Sequence, residues 1–242
     1  MFSAVPISKN QVAYDRETFE NHLKKHFGKL DLTLLTPNLH HPLVIPFIAY
    51  AYNFCIRYYR QVNISILYRE EQVEQKPNYE IVNLEPFEHH DAVETVCFGG
   101  SFDRLHYGHK LLITAGVILC NKYLIIGVNR ATSKKSHHEL IEPFEDRASS
   151  CLNFVFKLNQ DLIVRIEVID DVAGPTGYLP NIDLLVLSQE TIKGGDMVNE
   201  IRKQKGLQPI AYAPIPLITL MTGSRLSSSY LRELASSNAE NE

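Results

Sequence analysis

The sequence predicts an α/β fold: a parallel sheet covered by helices over residues 91–242, preceded by a small accessory α/β region over residues 1–90. Three observations carry this expectation. From Val93 onward, short apolar runs rich in β-formers alternate with runs of helical periodicity, and such alternation favours a parallel sheet with both faces covered. The first run ends at Gly99-Gly100 and passes directly into a helical pattern, the order strand, turn, helix. Finally, 242 residues that are 45% hydrophobic and 21% charged hold enough apolar side chain for an ample core.

In the first ninety residues, Glu17–Phe27 has Phe19, Leu23, His26 and Phe27 on one helical side. Leu30–Leu35 reads as a strand ended by Pro37-Asn38. Leu43–Tyr59 is apolar and aromatic, and its type stays open between helix and buried strand. Asn63–Arg69 alternates Ile64, Ile66 and Tyr68 against the opposite face, as a strand does, and Ile81–Phe87 is a further short strand candidate. Nothing in this region suggests chemistry; His40-His41 and the tyrosines read as surface and packing. The charged, His-rich stretch Glu85–Glu94 reads as a linker.

In the second region the strand candidates are Val93–Phe98, Tyr123–Val128, Ile163–Ile169, Leu184–Leu187 and Pro209–Ala213. Helical patterns lie at His109–Leu119, Pro143–Leu158, Asp196–Lys205 and Ser228–Leu234. In a parallel sheet, ligands bind beyond the C-terminal strand ends. The polar motifs fall there.

Composition narrows the function. The formal net charge of -4 argues against a non-specific nucleic-acid surface. Cys55, Cys97, Cys120 and Cys151 are scattered with no CxxC, the usage of a reduced, cytoplasmic protein. The longest apolar run, Leu43–Ile56, is shorter than the ~20 residues of a membrane helix, and no targeting segment is expected at the N-terminus. Ser236–Glu242 is small and polar and reads as a frayed end.

Three stretches carry chemistry. After Gly99-Gly100 the start of a helix offers unpaired N–H groups and a partial positive charge, which suit a phosphate. His106 and His109, three apart, share a face there, and Gly108 leaves room for a bulky group. No Cys, Asp or Glu cluster at ligand spacing accompanies them, so a metal pair is not favoured. A second stretch, Ser133-Lys134-Lys135, places lysines just past a strand end. The third is Ser227-Ser228-Ser229 after Arg225. A plain N-cap needs one serine, and three at a helix start supply O–H and N–H donors for phosphate oxygens. Asp170-Asp171 at another strand end reads as a turn capped by its carboxylate.

Taken together, Gly100-Ser101-Phe102-Asp103 and His106-Tyr107-Gly108-His109 resemble the G-[ST]-F-D-x-x-H-x-G-H signature of the nucleotidyltransferase superfamily. Ser133-Lys134-Lys135, Ile141–Arg147 and Ser227–Arg232 resemble motifs of the phosphopantetheine adenylyltransferases, and Asp171–Thr176, Ser188-Gln189-Glu190-Thr191 and Asn199–Arg202 are similar to their eukaryotic and archaeal branch. The resemblance spans roughly residues 94–235. It implies a Rossmann-like nucleotidyltransferase domain that transfers AMP from ATP to 4′-phosphopantetheine in coenzyme A biosynthesis, with Mg²⁺ on the ATP and no metal ligands of its own. It assigns His109, Lys134 and Ser101 to catalysis, with Lys135 as the alternative lysine. Gly100, Phe102, His106, His109, Arg225, Ser227, Ser228 and Ser229 would meet the nucleotide, and Ser101, Lys134 and Arg202 the substrate. The Arg-Gly-Leu-Arg of bacterial enzymes is absent here; which residue replaces its arginines stays open, with Arg202 as the candidate. The implied partners are ATP and 4′-phosphopantetheine, with no nucleic acid and no membrane. A homo-oligomer or a complex with other coenzyme A enzymes stays open, as does a nuclear location. The rival readings are a glycerol-phosphate or choline-phosphate cytidylyltransferase and a non-catalytic nucleotide-binding regulator.

Overall fold

The computed structural model describes residues 3–6, 30–36, 44–58, 62–68, 91–130, 136–220 and 223–239. Two compact units divide the chain: residues 1–90 with 219–223, and residues 91–218 with 224–242. The helix expected at Glu17–Phe27 and the strand expected at Ile81–Phe87 lie outside the described residues.

In the first unit, β1 (Ser3–Pro6), β2 (Leu30–Thr36) and β3 (Val62–Tyr68) form a parallel sheet in that order. Between β2 and β3 the open question of Leu43–Tyr59 is answered by a helix, α1 (Val44–Tyr58). Its Val44, Phe47, Ile48, Ala51 and Tyr52 are buried. Pro46 sits in the first turn, where its missing N–H costs nothing. The distant stretch 219–223 joins this unit. Asn53 Oδ1 accepts the Thr219 backbone N–H at 2.8 Å.

The second unit is a five-stranded parallel sheet, β4 (Val93–Gly100), β5 (Cys120–Asn129), β6 (Ile163–Ile169), β7 (Leu184–Ser188) and β8 (Ala211–Ile215), in spatial order β6-β5-β4-β7-β8. Its helices are α2 (Tyr107–Ile118), α3 (Phe144–Leu158), α4 (Ile192–Gln204) and α5 (Ser228–Ala239). Every strand pairing is parallel, as the alternating pattern predicts. Strand order reverses between β4 and β7, which opens a crevice at their C-terminal ends.

Two close approaches fix the ends of the central strands. A Cβ on Gly127 of β5 would lie 2.3 Å from Ile169 Cδ1, and one on Gly116 of α2 would lie 2.3 Å from the Phe98 ring. Glycine at these positions lets the Ile169 side chain lie over β5 and the Phe98 ring pack directly against the backbone of α2. The last strand runs two residues later than expected, because Pro209 has no N–H for a ladder bond and Ala211–Ile215 pair with β7 instead.

Candidate functional site

The crevice holds a cleft of about 610 Å³. Its walls include Gly100, Ser101, His106, His109, Arg225 and Ser227–Ser229. The sequence places Gly100–His109 and Arg225–Ser229 more than a hundred positions apart, and the topology brings the two groups together.

The turn after β4 comes first. Phe102 and Arg104 both have φ of 50°, the left-handed region, a local strain that needs outside support. Asp103, fully buried, supplies it. Its Oδ1 accepts the Glu142 N–H at 3.0 Å, while Glu142 Oε2 accepts the Arg104 N–H at 2.6 Å. Arg147 braces the same region. It is 1% exposed and donates to the carbonyls of Ser101, Asn129 and Glu142 at 2.6, 2.8 and 2.8 Å. It thereby ties the end of β4 to the end of β5.

The turn delivers α2. His106 is its N-cap, and Nδ1 accepts the Gly108 N–H at 3.2 Å. The His106 and His109 rings stack at 3.8 Å, and Phe102 lies 5.1 Å from His109 on the buried side. Burial pushes the His106 pKa down to about 4, against a smaller upward pull from Asp103 and with a further push down from Arg225. His106 is therefore neutral near pH 7. Because Nδ1 accepts, its proton sits on Nε2 and the ring is a neutral donor. Gly108 does make room for something bulky, and that group is the His106 ring itself, 3.1 Å from where a Cβ would stand. Phe102 is completely buried and supports His109 from behind; its side chain does not line the cleft.

The serine-opened helix forms the opposite wall. Each hydroxyl has a separate internal partner. Ser227 Oγ accepts the Tyr230 N–H at 3.2 Å and caps α5. Ser228 Oγ donates to the Asp103 carbonyl at 2.9 Å. Its proton being used there, the 3.2 Å contact between the Ser101 and Ser228 hydroxyls has Ser101 as donor. Ser229 Oγ accepts from Arg232 Nη2 at 3.1 Å. Three serines thus hold the helix start in place, and the donors it presents are chiefly backbone N–H groups. Arg232 closes the arrangement through a buried ion pair with Asp103 at 2.5 Å.

Of the remaining expected site residues, Arg225 lines the cleft and pairs with Glu190 across it. Lys134 and Lys135 lie outside the described residues. Arg202 is not brought to the cleft. It is completely buried, and its guanidinium donates to the carbonyls of Gln208, Thr176, Leu179 and Pro180 at 2.6, 2.6, 2.8 and 3.1 Å. An arginine so engaged anchors a loop and has no face left for a substrate phosphate. Asp171 is a turn residue, as its sequence context suggests: Oδ1 accepts the N–H groups of Ala173 and Gly174 at 3.0 and 2.6 Å. Cys97, at the cleft floor, is held as a thiol. Burial pushes it up to about 12, helped by Glu167, which removes it as a thiolate nucleophile. Among the described residues no group of three or more His, Cys, Asp or Glu side chains could hold a metal ion, and no helix is long and apolar enough to cross a membrane.

Reading by sequence did not single out Asp103, Glu142, Arg147 and Arg232 individually. The signals were present, since each belongs to a quoted motif, but those motifs point to phosphate binding and helix initiation and do not give the buried partners of these four side chains.

The geometry offers two helix N-termini, a neutral imidazole donor and a cationic guanidinium around one crevice. That suits a polyphosphate whose charge shifts during reaction. A cytidylyltransferase-like family model matches residues 97–234. The phosphopantetheine adenylyltransferase of Saccharomyces cerevisiae is 35% identical over 150 residues, covering 58% of this chain and 48% of the yeast protein. Those of Thermococcus kodakarensis and Pyrococcus furiosus are 35% and 34% identical over 139 and 141 residues, each covering 57% of this chain and 83% and 86% of their own. This chain thus spans about half the length of the yeast relative and most of the archaeal ones.

Proposed function

This chain belongs to the cytidylyltransferase-like family, and within it we propose that it is a phosphopantetheine adenylyltransferase, transferring AMP from ATP to 4′-phosphopantetheine. The convergence of the His106–His109 helix start and the serine-opened helix start on one cleft, bridged by the Ser101–Ser228 hydroxyl contact, carries the reading of nucleotidyl transfer. The choice of AMP and 4′-phosphopantetheine is supported by the names of the yeast and archaeal relatives.

In this reaction a phosphate oxygen of 4′-phosphopantetheine attacks the α-phosphorus of ATP. The bond from that phosphorus to the α,β-bridging oxygen breaks, pyrophosphate leaves with the electron pair, and dephospho-coenzyme A remains. No covalent intermediate with the protein is needed, so the protein's work is positioning and charge stabilisation. In the proposed arrangement His109 hydrogen-bonds the α-phosphate as charge moves towards the leaving group, and the neutral His106 donates beside it. Ser101 orients the attacking phosphate, Lys134 bridges it to the α-phosphate, and Arg225 exchanges Glu190 for the β- and γ-phosphates. The helix start at Ser227–Ser229 holds the same phosphates. Magnesium enters with the nucleotide as Mg·ATP, where it keeps several of its waters. The proposed setting is the cytoplasm or nucleus, supported by the buried thiols Cys97, Cys120 and Cys151.

The test is pyrophosphate release from ATP or CTP against a panel of phosphate monoesters. Turnover confined to ATP with 4′-phosphopantetheine is expected. Turnover of CTP with glycerol phosphate or choline phosphate instead would assign the chain to the cytidylyltransferases of its family.

A further inference from the structure

The short turn after β7 lines the cleft and carries a carboxylate into it. Gln189–Thr191 form a single 3₁₀ turn between β7 and α4. Thr191 Oγ1 donates to the Ser188 carbonyl at 2.9 Å and lies 3.1 Å from Ser188 Oγ, so the turn is closed on itself. Glu190 projects from it, and its Oε2 meets Arg225 Nη1. Arg225 stands on the opposite wall, on a backbone that is also pinned. The next residue, Leu226, donates its N–H to the Ile218 carbonyl at 2.9 Å, and Ser227 caps α5. Two fixed stretches of chain thus present opposite charges to one cleft. The Arg225 charge also reaches His106, whose pKa it helps to push down, so the guanidinium is close to the histidine turn. Water reaches both partners: the Arg225 and Glu190 side chains are 53% and 36% exposed.

We propose that Glu190 is a resident competitor of the polyphosphate: its carboxylate holds Arg225 in the empty cleft, yields it to the incoming phosphates and takes it back as pyrophosphate leaves, a role that rests on the nucleotidyl transfer proposed for this cleft. A phosphate that pairs with Arg225 must first break the bond to Glu190. The apparent dissociation constant is then raised by the inverse of the fraction of molecules in which Arg225 is free. Exposure sets the size of the effect. An ion pair so open to water is weak, and a polyphosphate with several negative charges displaces it. Affinity is therefore lowered only a few-fold. The consequence falls at the end of the turnover. Pyrophosphate keeps the phosphates through which ATP is held, and product release limits the rate of many enzymes. A carboxylate on a fixed turn gives Arg225 a partner at the moment the product departs.

Pyrophosphate itself is the probe. Its affinity in the presence of Mg²⁺ is measured by calorimetry on the full chain, for wild type, Glu190→Gln, Arg225→Ala and the double variant. Its inhibition constant as a product is measured alongside, with melting temperatures. Glutamine keeps the size of the side chain and removes its charge. Glu190→Gln is expected to bind pyrophosphate about two- to fivefold more tightly than wild type, with a matching fall in the inhibition constant. In the Arg225→Ala background the same change should alter affinity by less than about 1.5-fold, because the effect passes through the guanidinium. Tighter binding on loss of a side chain is not what damage to the turn produces, since damage weakens binding. An unchanged or weakened affinity in Glu190→Gln overturns the proposal. A gain of the same size with and without Arg225 also overturns it, making Glu190 a plain repulsive charge. If Glu190→Gln does not fold, Glu190→Asp, which shortens the reach towards Arg225 by one methylene, goes through the same cycle under the same criteria. A wild-type chain that does not bind pyrophosphate contradicts nucleotidyl transfer in this cleft, and this proposal with it. That outcome is read from the wild type alone, whereas failure of the Glu190 role is read from variants of a wild type that binds.

Discussion

At the scale of single residues, the site works through side chains whose state is set by what surrounds them. His106 is the clearest case. Its pKa in the folded protein, about 4, lies below the ordinary 6.5. Between those values the unfolded chain binds the proton and the folded chain does not, so stability falls as pH drops from about 6.5 towards 4. The groups facing the ring are Asp103, Arg225 and the stacked His109. Replacement by asparagine keeps an acceptor for the helix cap and removes the titration. The melting temperature of His106→Asn is therefore expected to decline less than that of wild type between pH 6.5 and 4.5; parallel curves would show that His106 is not held neutral by burial. This state was not legible in the sequence, where His106 and His109 are two imidazoles at helical spacing. The spacing gives a shared face, while the tautomer and the depressed pKa come from the depth of the turn and the orientation of Gly108. Arg202 carries the opposite lesson. Its motif resembles a substrate site, yet its surroundings are four backbone carbonyls, a packing fact that no local spacing encodes.

At the scale of elements, most of the second unit was readable. Buried parallel strands are near-continuous apolar runs, and Thr95–Phe98 and Leu184–Leu187 read as such because both their faces are covered. The helix starts were less readable. The start at Phe144 reads as ordinary helix initiation and the start at Ser228 as a phosphate-binding serine run, and neither reading tells that Arg147 and Arg232 turn inward to tie strand ends and loops together. The α4 helix shows the same device away from the chemistry. Arg202 projects from it to collect the carbonyls of Thr176, Leu179, Pro180 and Gln208. Arg202→Ala would leave these buried acceptors without donors, at a cost of roughly 2–5 kcal/mol. The expected result is a clearly lowered melting temperature, with KM for 4′-phosphopantetheine within about twofold of wild type in the protein that remains folded. A tenfold rise in that KM with stability intact would return Arg202 to the substrate site.

At the scale of the whole molecule, every described group assigned to chemistry belongs to the second unit, which is of ordinary size for a self-sufficient domain. We propose that a fragment from Asp91 to Glu242 folds by itself and binds Mg·ATP. Residues 219–223 are its weak point, because they belong to the first unit and Thr219 would lose the acceptor on Asn53. A soluble fragment that melts cooperatively and is stabilised by Mg·ATP is expected; an insoluble or ATP-indifferent fragment would make the first ninety residues part of the catalytic fold. Nothing in the amino-acid pattern announced that residues near 220 would join the first unit, since the contact spans 166 positions and involves no motif. If the cleft between the histidine turn and the serine helix joins AMP to 4′-phosphopantetheine, the products report it most directly. They are followed by mass spectrometry after ATP and 4′-phosphopantetheine are given to the full chain and to its His109→Ala variant. Dephospho-coenzyme A and pyrophosphate in equal amounts are expected from the wild type. The variant should show a kcat lower by about 10²–10³-fold with little change in either KM. No dephospho-coenzyme A from the wild type, or an undiminished kcat in His109→Ala, would contradict this function for the cleft.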